Sequence, residues 1–256
     1  MKQKKELMRL VLTCALAVSL LSGCGNAGST ISETKEATSR ISDVQTTKAE
    51  KESITDKNQE AAEKLLTDLE GTYQELWPVI LADKYNQLWI DDSTAIVGEE
   101  NAQAAVKKIS SMVTGTVTGE EAVKAYKDGN MAYDCEFLQG VKQFTFEGTT
   151  ISGKDENGNE VFKHSYHYVG MEKTRELYIY ESDDADSGEF TYFCIASDTM
   201  KTTWHIEFRY GSNLDELEKY DAGKYAYWLA AGISINYAQE DVENCIQLFC
   251  KENLSK

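Results

Sequence analysis

The sequence predicts an α+β protein, mainly antiparallel β, whose strands form a meander closed or nearly closed as a barrel and flanked by helices near both ends of the chain. Two observations carry this. From Met131 onward, short runs rich in β-branched and aromatic residues follow one another, separated only by turn clusters such as Asp155-Glu156-Asn157-Gly158-Asn159 and Asp183-Asp184-Ala185-Asp186-Ser187-Gly188. Strands joined by tight turns, with no helix between them, build an antiparallel sheet rather than βαβ units. On either side of that stretch, apolar residues return to helical spacing.

The N-terminus sets the address. Lys2, Lys4, Lys5 and Arg9 precede an apolar run from Leu10 to Leu21, too short to span a bilayer and of the right length for a signal peptide. It ends in Leu21-Ser22-Gly23-Cys24, which resembles the lipobox of bacterial lipoproteins, where cleavage precedes the Cys and a lipid is attached to its sulfur. The resemblance implies a signal peptide over 1–23, lipidation at Cys24, and a protein held at the cell surface or on the outer face of the cytoplasmic membrane. Residues 24–58 lack aromatic side chains and are mostly Ser, Thr, Glu, Lys, Asp and Gln. They cannot bury enough apolar surface to offset their ordering entropy, so they are expected to be a disordered tether to a folded domain over 59–256.

Within that domain, Ala61, Ala62, Leu65, Leu66 and Leu69 predict a helix from near Asn58 to the Glu70-Gly71 step. A second helical stretch is expected to carry Tyr73, Leu76 and Trp77 up to Pro78. Strands are expected at 131–138, 142–147, 160–169, 175–181, 189–196 and 202–210. Helical spacing returns with Leu214 and Leu217, then with Val242, Cys245, Ile246 and Phe249.

The chain carries a formal charge of −17. Four positive side chains and Glu6 leave with the signal peptide, which makes the mature chain more acidic still. Such a polyanion does not seek nucleic acid or an acidic lipid surface. Of six cysteines, Cys135 and Cys194 are allowed a bridge by the compartment, whereas Cys245 and Cys250 are five helical steps apart, beyond a relaxed disulfide. No CxxC pair supports a thiolate zinc site.

The candidate chemistry lies in Trp204-His205-Ile206-Glu207-Phe208-Arg209-Tyr210-Gly211. If this is strand, His205 and Glu207 emerge on one face and Trp204, Ile206 and Phe208 on the other. An imidazole and a carboxylate so placed can hold one cation; otherwise they are a polar pair on a solvated face. Asp198 can add an oxygen if its loop turns inward. His164 and His167, three apart on a strand, point to opposite faces, so at most one can join His205; His167 is kept as a candidate. The acidic turns do not have calcium-loop spacing: after Asp155 the glycine comes at the fourth position and no bidentate Glu follows at the twelfth.

Five segments in order resemble the ZinT family of extracytoplasmic zinc-binding proteins. They are Leu66 to Pro78, Glu121 to Gly129, Tyr166-His167-Tyr168-Val169-Gly170, Ser197-Asp198-Thr199, and His205 to Gly211. The resemblance covers roughly residues 66 to 220. It implies a lipocalin-like (calycin) barrel with added helices and a metal site near a barrel mouth. The family's three His ligands fall on Thr199, His205 and Glu207, so only His205 survives as His. Glu207 can still ligate through oxygen, whereas Thr199 is a poor ligand.

The expected function is therefore capture of zinc or a similar divalent cation by a lipid-anchored protein, with delivery to a zinc ABC transporter or its solute-binding protein. The alternative is a ZinT-like domain whose metal site has decayed, leaving a module for a small ligand or a protein. An enzyme is least supported: the chain has no nucleophile elbow, HExxH or phosphate loop.

Overall fold

The computed structural model describes residues 57–127 and 131–255. The signal peptide, Cys24 and almost all of the tether lie outside the described residues. The helices are α1 (57–68), α2 (Trp77–Ile80), α3 (Asn86–Val97), α4 (Glu99–Val113), α5 (Gly119–Ala125), α6 (Leu214–Leu217) and α7 (Gln239–Leu254). The strands are β1 (Gly71–Glu75), β2 (Gln143–Glu147), β3 (Thr150–Lys154), β4 (Glu160–Met171), β5 (Tyr178–Ser182), β6 (Tyr192–Ile195), β7 (Ile206–Gly211) and β8 (Ala230–Ser234). They run in chain order around a closed antiparallel barrel, which β1 completes by pairing with both β2 and β8. Closure leaves no strand edge unpaired.

Aromatic rings fill the barrel. Phe144 packs on Phe208 at 5.0 Å between centroids and on Tyr210 at 5.2 Å, and Phe193 packs on Tyr210 at 5.3 Å. Helix α1 adds Ala62, Leu65 and Leu66 to this core, joined by Leu69 just after it, and is tied to it by Tyr180, whose hydroxyl donates to the Ala62 carbonyl at 2.8 Å. A second core lies outside the wall, where Ala231 and Ile233 of β8 meet Trp77, Trp89, Ile109, Val242, Cys245, Ile246 and Phe249. The outer surface of the last strands is thus roofed by helices instead of facing water.

Two expectations about elements need correction. Residues 71–75 form strand β1, not a helix: Tyr73 enters the barrel core while Leu76 joins the outer one, so their helical spacing reflects two different cores. Pro78 sits in the first turn of α2, where its missing N–H costs no hydrogen bond. Residues 131–138 make only an isolated bridge, Asp134 to Trp228. Strand β8, Ala-Ala-Gly-Ile-Ser, has no bulky β signature because its neighbours need the space. A side chain on Gly232 would begin 3.1 Å from Cγ1 of Ile206 and 3.3 Å from Cζ of Phe137.

Candidate metal centre

The strand expected over 202–210 begins only at Ile206, and Trp204 turns to the outer core instead of joining Ile206 and Phe208; from His205 onward β7 keeps the expected alternation but not the expected solvation. Ile206, Phe208 and Tyr210 enter the barrel core. His205, Glu207 and Arg209 take the opposite direction, yet they are 0%, 6% and 0% exposed. Arg209 has a structural role there: its guanidinium donates to the carbonyls of Leu217, Lys219 and Tyr225 and stacks on Tyr220 at 4.5 Å.

His205 precedes the first residue of β7 and is aimed by a tight turn. The Thr199 carbonyl accepts the backbone N–H groups of Thr202, Thr203 and Trp204 at 3.0, 2.9 and 3.1 Å. Trp204 takes a left-handed φ of +61°, a strained conformation for a bulky residue. The turn returns the chain so that the Thr203 carbonyl meets Nδ1 of His205 at 2.8 Å.

That contact decides the tautomer. A carbonyl can only accept, so Nδ1 carries the hydrogen and, in the neutral ring, Nε2 presents a lone pair. Nε2 is buried with no hydrogen-bond partner and stands 3.7 Å from Oε1 of Glu207. One ligand atom from each of Asp198, His205 and Glu207 falls within 4.8 Å of the others, and all three residues are buried. Asp198 follows β6 and is brought there by the inward turn of its loop. Burial, opposed by His205 and reinforced by Glu207, pushes its carboxyl up to about 6. Burial disfavours charge on His205, but Cys245 and Glu207 outweigh it and hold the ring well above the ordinary imidazole range.

Helix α7 forms the roof. The Phe249 ring lies 4.9 Å from that of His205, and Sγ of Cys245 lies 3.8 Å from Nδ1. Glu252, on the same helix, was not singled out by sequence reasoning. Oε2 of Glu252 is buried and unpartnered. Burial, reinforced by Asp198 and Glu207 against the pull of His205, pushes this carboxyl up to about 7. Its signal was present: Glu252 continues the apolar stripe Val242, Cys245, Phe249, where a carboxylate is out of place.

The other candidates are placed elsewhere. His167 is half exposed and pairs through Nδ1 with Asp183 at 2.7 Å, outside the buried cluster. His164 pairs with Asp184 at 2.8 Å. Thr199 builds the turn: its hydroxyl bonds that of Thr202 at 3.0 Å and accepts the Lys201 N–H at 3.3 Å. Cys194, Cys245 and Cys250 are unbridged thiols.

A cavity of about 20 Å³, room for a water molecule, reaches Glu207 between Trp77, Ile109, Val113, Cys135 and Phe249. Trp77, Val113 and Cys135 also wall an outer groove of about 270 Å³. The small cavity beside Glu207 and the outer groove thus share part of one wall.

The donors fit a divalent cation. A buried imidazole nitrogen fixed by a backbone carbonyl on its other side, next to two carboxylates, is the arrangement expected of a ligand and its orienting partner. The chain is similar to ZinT-like structures. One is the Zn(II)-bound ZinT-like domain of Streptococcus pneumoniae AdcA, at 16% identity over 72% of this chain and 89% of that one, with a TM-score of 0.45. Another is Zn(II)-bound AdcA from the same organism, at 16% identity and a TM-score of 0.42; the match spans 75% of this chain and 35% of that one. No protein-family model and no curated protein matches the sequence.

Proposed function

We propose that this domain binds a divalent cation, zinc foremost, at Asp198, His205 and Glu207. The observation that carries the reading is the Nε2 atom of His205: fully buried, without a hydrogen bond, and 3.7 Å from Oε1 of Glu207. Leaving such a group unsatisfied costs about 1–3 kcal/mol, and a cation removes that cost. In biological terms the reading is capture of zinc outside the cytoplasm by a protein anchored through Cys24, followed by release to a zinc uptake transporter or its solute-binding protein. The lipobox-like Leu21-Ser22-Gly23-Cys24 supports the anchor, and the similarity to ZinT motifs supports the transport role. Binding, with no reaction catalysed, is the role proposed.

Equilibrium dialysis of the purified protein against zinc, with the parent and with His205→Ala and Glu207→Ala, tests it. Stoichiometric binding that both changes weaken is expected. No binding, or binding indifferent to both changes, sinks the proposal. A second reading, a decayed site serving as a small-ligand module, rests on the outer groove, where Nε1 of Trp77 is buried and unpartnered. The aromatic filling of the barrel and the small cavity at Glu207, about 20 Å³, weigh against it.

A further inference from the structure

Three donors leave a tetrahedral cation one short. The neighbouring strands have no further donor in the buried cluster, whose members among the described residues are Asp198, His205 and Glu207. The roof does. Glu252 lies three residues beyond Phe249 and seven beyond Cys245, so all three share one face of α7. Two of them already touch the His205 ring.

The Glu252 carboxylate is also unsatisfied where it stands. Its Oε2 is buried with no hydrogen-bond partner, although the end of a helix beside solvent offers a carboxylate easy satisfaction. Its charge is attracted by His205 and repelled by Asp198 and Glu207. A carboxylate kept only for helix solubility would turn outward, away from two like charges. Oε2 of Glu252, on the face of α7 that meets the His205 ring, and Nε2 of His205 are both buried without a hydrogen bond.

We propose that Glu252 is the fourth donor, closing α7 over a cation held by Asp198, His205 and Glu207 in a set of one nitrogen and three oxygens. This rests on the metal-binding reading above. It makes the C-terminal helix part of the site, so that metal occupancy and docking of α7 are coupled. It also makes the donor set richer in oxygen than three imidazoles, which lowers discrimination against manganese(II).

The test uses the full chain and metal salts alone. Zinc affinity is measured by competition with a chromophoric chelator for the parent, Glu252→Gln, Glu252→Asp and His205→Ala, and cobalt(II) is added as a spectroscopic probe. Expected is a loss in Glu252→Gln at least as large as the roughly 10–100-fold that removing an outer-shell partner costs. The cobalt d–d bands should shift, while the metal-free melting temperature stays level or rises because a buried unpaired charge is gone. Glu252→Asp keeps the charge but falls a methylene short, and should bind more weakly with its fold intact. A purely structural role would lower the metal-free melting temperature and leave the cobalt spectrum alone. Parent-like affinity and spectrum in both Glu252 variants, with binding lost in His205→Ala, overturns the role of Glu252 and leaves the three-residue site standing. A parent that binds no zinc overturns both.

Discussion

Nε2 of His205 stands 3.7 Å from Oε1 of Glu207 because Nδ1 of the same ring is held at 2.8 Å by the Thr203 carbonyl. The separation exceeds a hydrogen bond and suits two ligands sharing one ion. Backbone, not side chain, fixes the ring, so its orientation depends on the 199–204 turn. The site is made by a loop as much as by a strand.

Removal of the imidazole should therefore be more damaging than removal of either carboxylate. His205→Ala is expected to abolish the rise in melting temperature that zinc produces. Glu207→Gln should retain a reduced rise. Zinc at about 100 times its Kd stabilises the parent by about 2.7 kcal/mol, a shift easily read by thermal melting.

The metal-free protein should lose stability as pH rises. Asp198 and Glu252 have folded pKa values of about 6 and about 7, above the roughly 3.9 and 4.3 of an unfolded chain. Between those limits the folded state binds more protons than the unfolded one, so each rise in pH favours unfolding. His205, raised above its unfolded value, adds in the same direction: its stabilisation is present at low pH and lost as pH climbs through the folded pKa. Melting curves from about pH 5 to pH 8 should fall without metal and flatten with saturating zinc. A metal-free protein more stable at the alkaline end would contradict the buried placement of these groups.

Phe249→Ala is expected to act on both fold and site. The ring packs on Trp77 at 4.7 Å and on His205 at 4.9 Å, and it is fully buried. Its truncation should cost about 3–5 kcal/mol in a urea melt. Zinc affinity should fall as well, because water reaches the imidazole and α7 loses its register over it.

Gly211→Ala separates fold from site. A Cβ at Gly211 would stand 2.3 Å from the Tyr225 hydroxyl, which donates to Glu189 at 2.8 Å and accepts from the Ser212 N–H at 3.3 Å. Overpacking of this kind costs about 1–3 kcal/mol. Because Gly211 is at the far end of β7 from His205, zinc affinity should remain that of the parent even though the melting temperature drops.

The barrel was legible wherever a strand alternates or carries aromatic residues, as in β4 through β7, and α1 and α7 were legible from their apolar stripes. The strands that close it were not: β1 resembles a helix because Tyr73 and Leu76 serve two cores, and β8 is built of Ala and Gly for lack of room. In the site, the placing of His205 and Glu207 on one side of the chain was a local fact that the sequence by itself determined, since two-residue alternation is a property of any extended chain, whereas Asp198 joined them only through the inward turn of its loop. Tertiary structure decided the rest. Only the packing of α7 over His205 turned a solvated polar face into a buried one and brought Glu252, 45 residues beyond Glu207, near Asp198, His205 and Glu207. Burial and long-range approach depend on which surfaces meet, and no local pattern of residues records that.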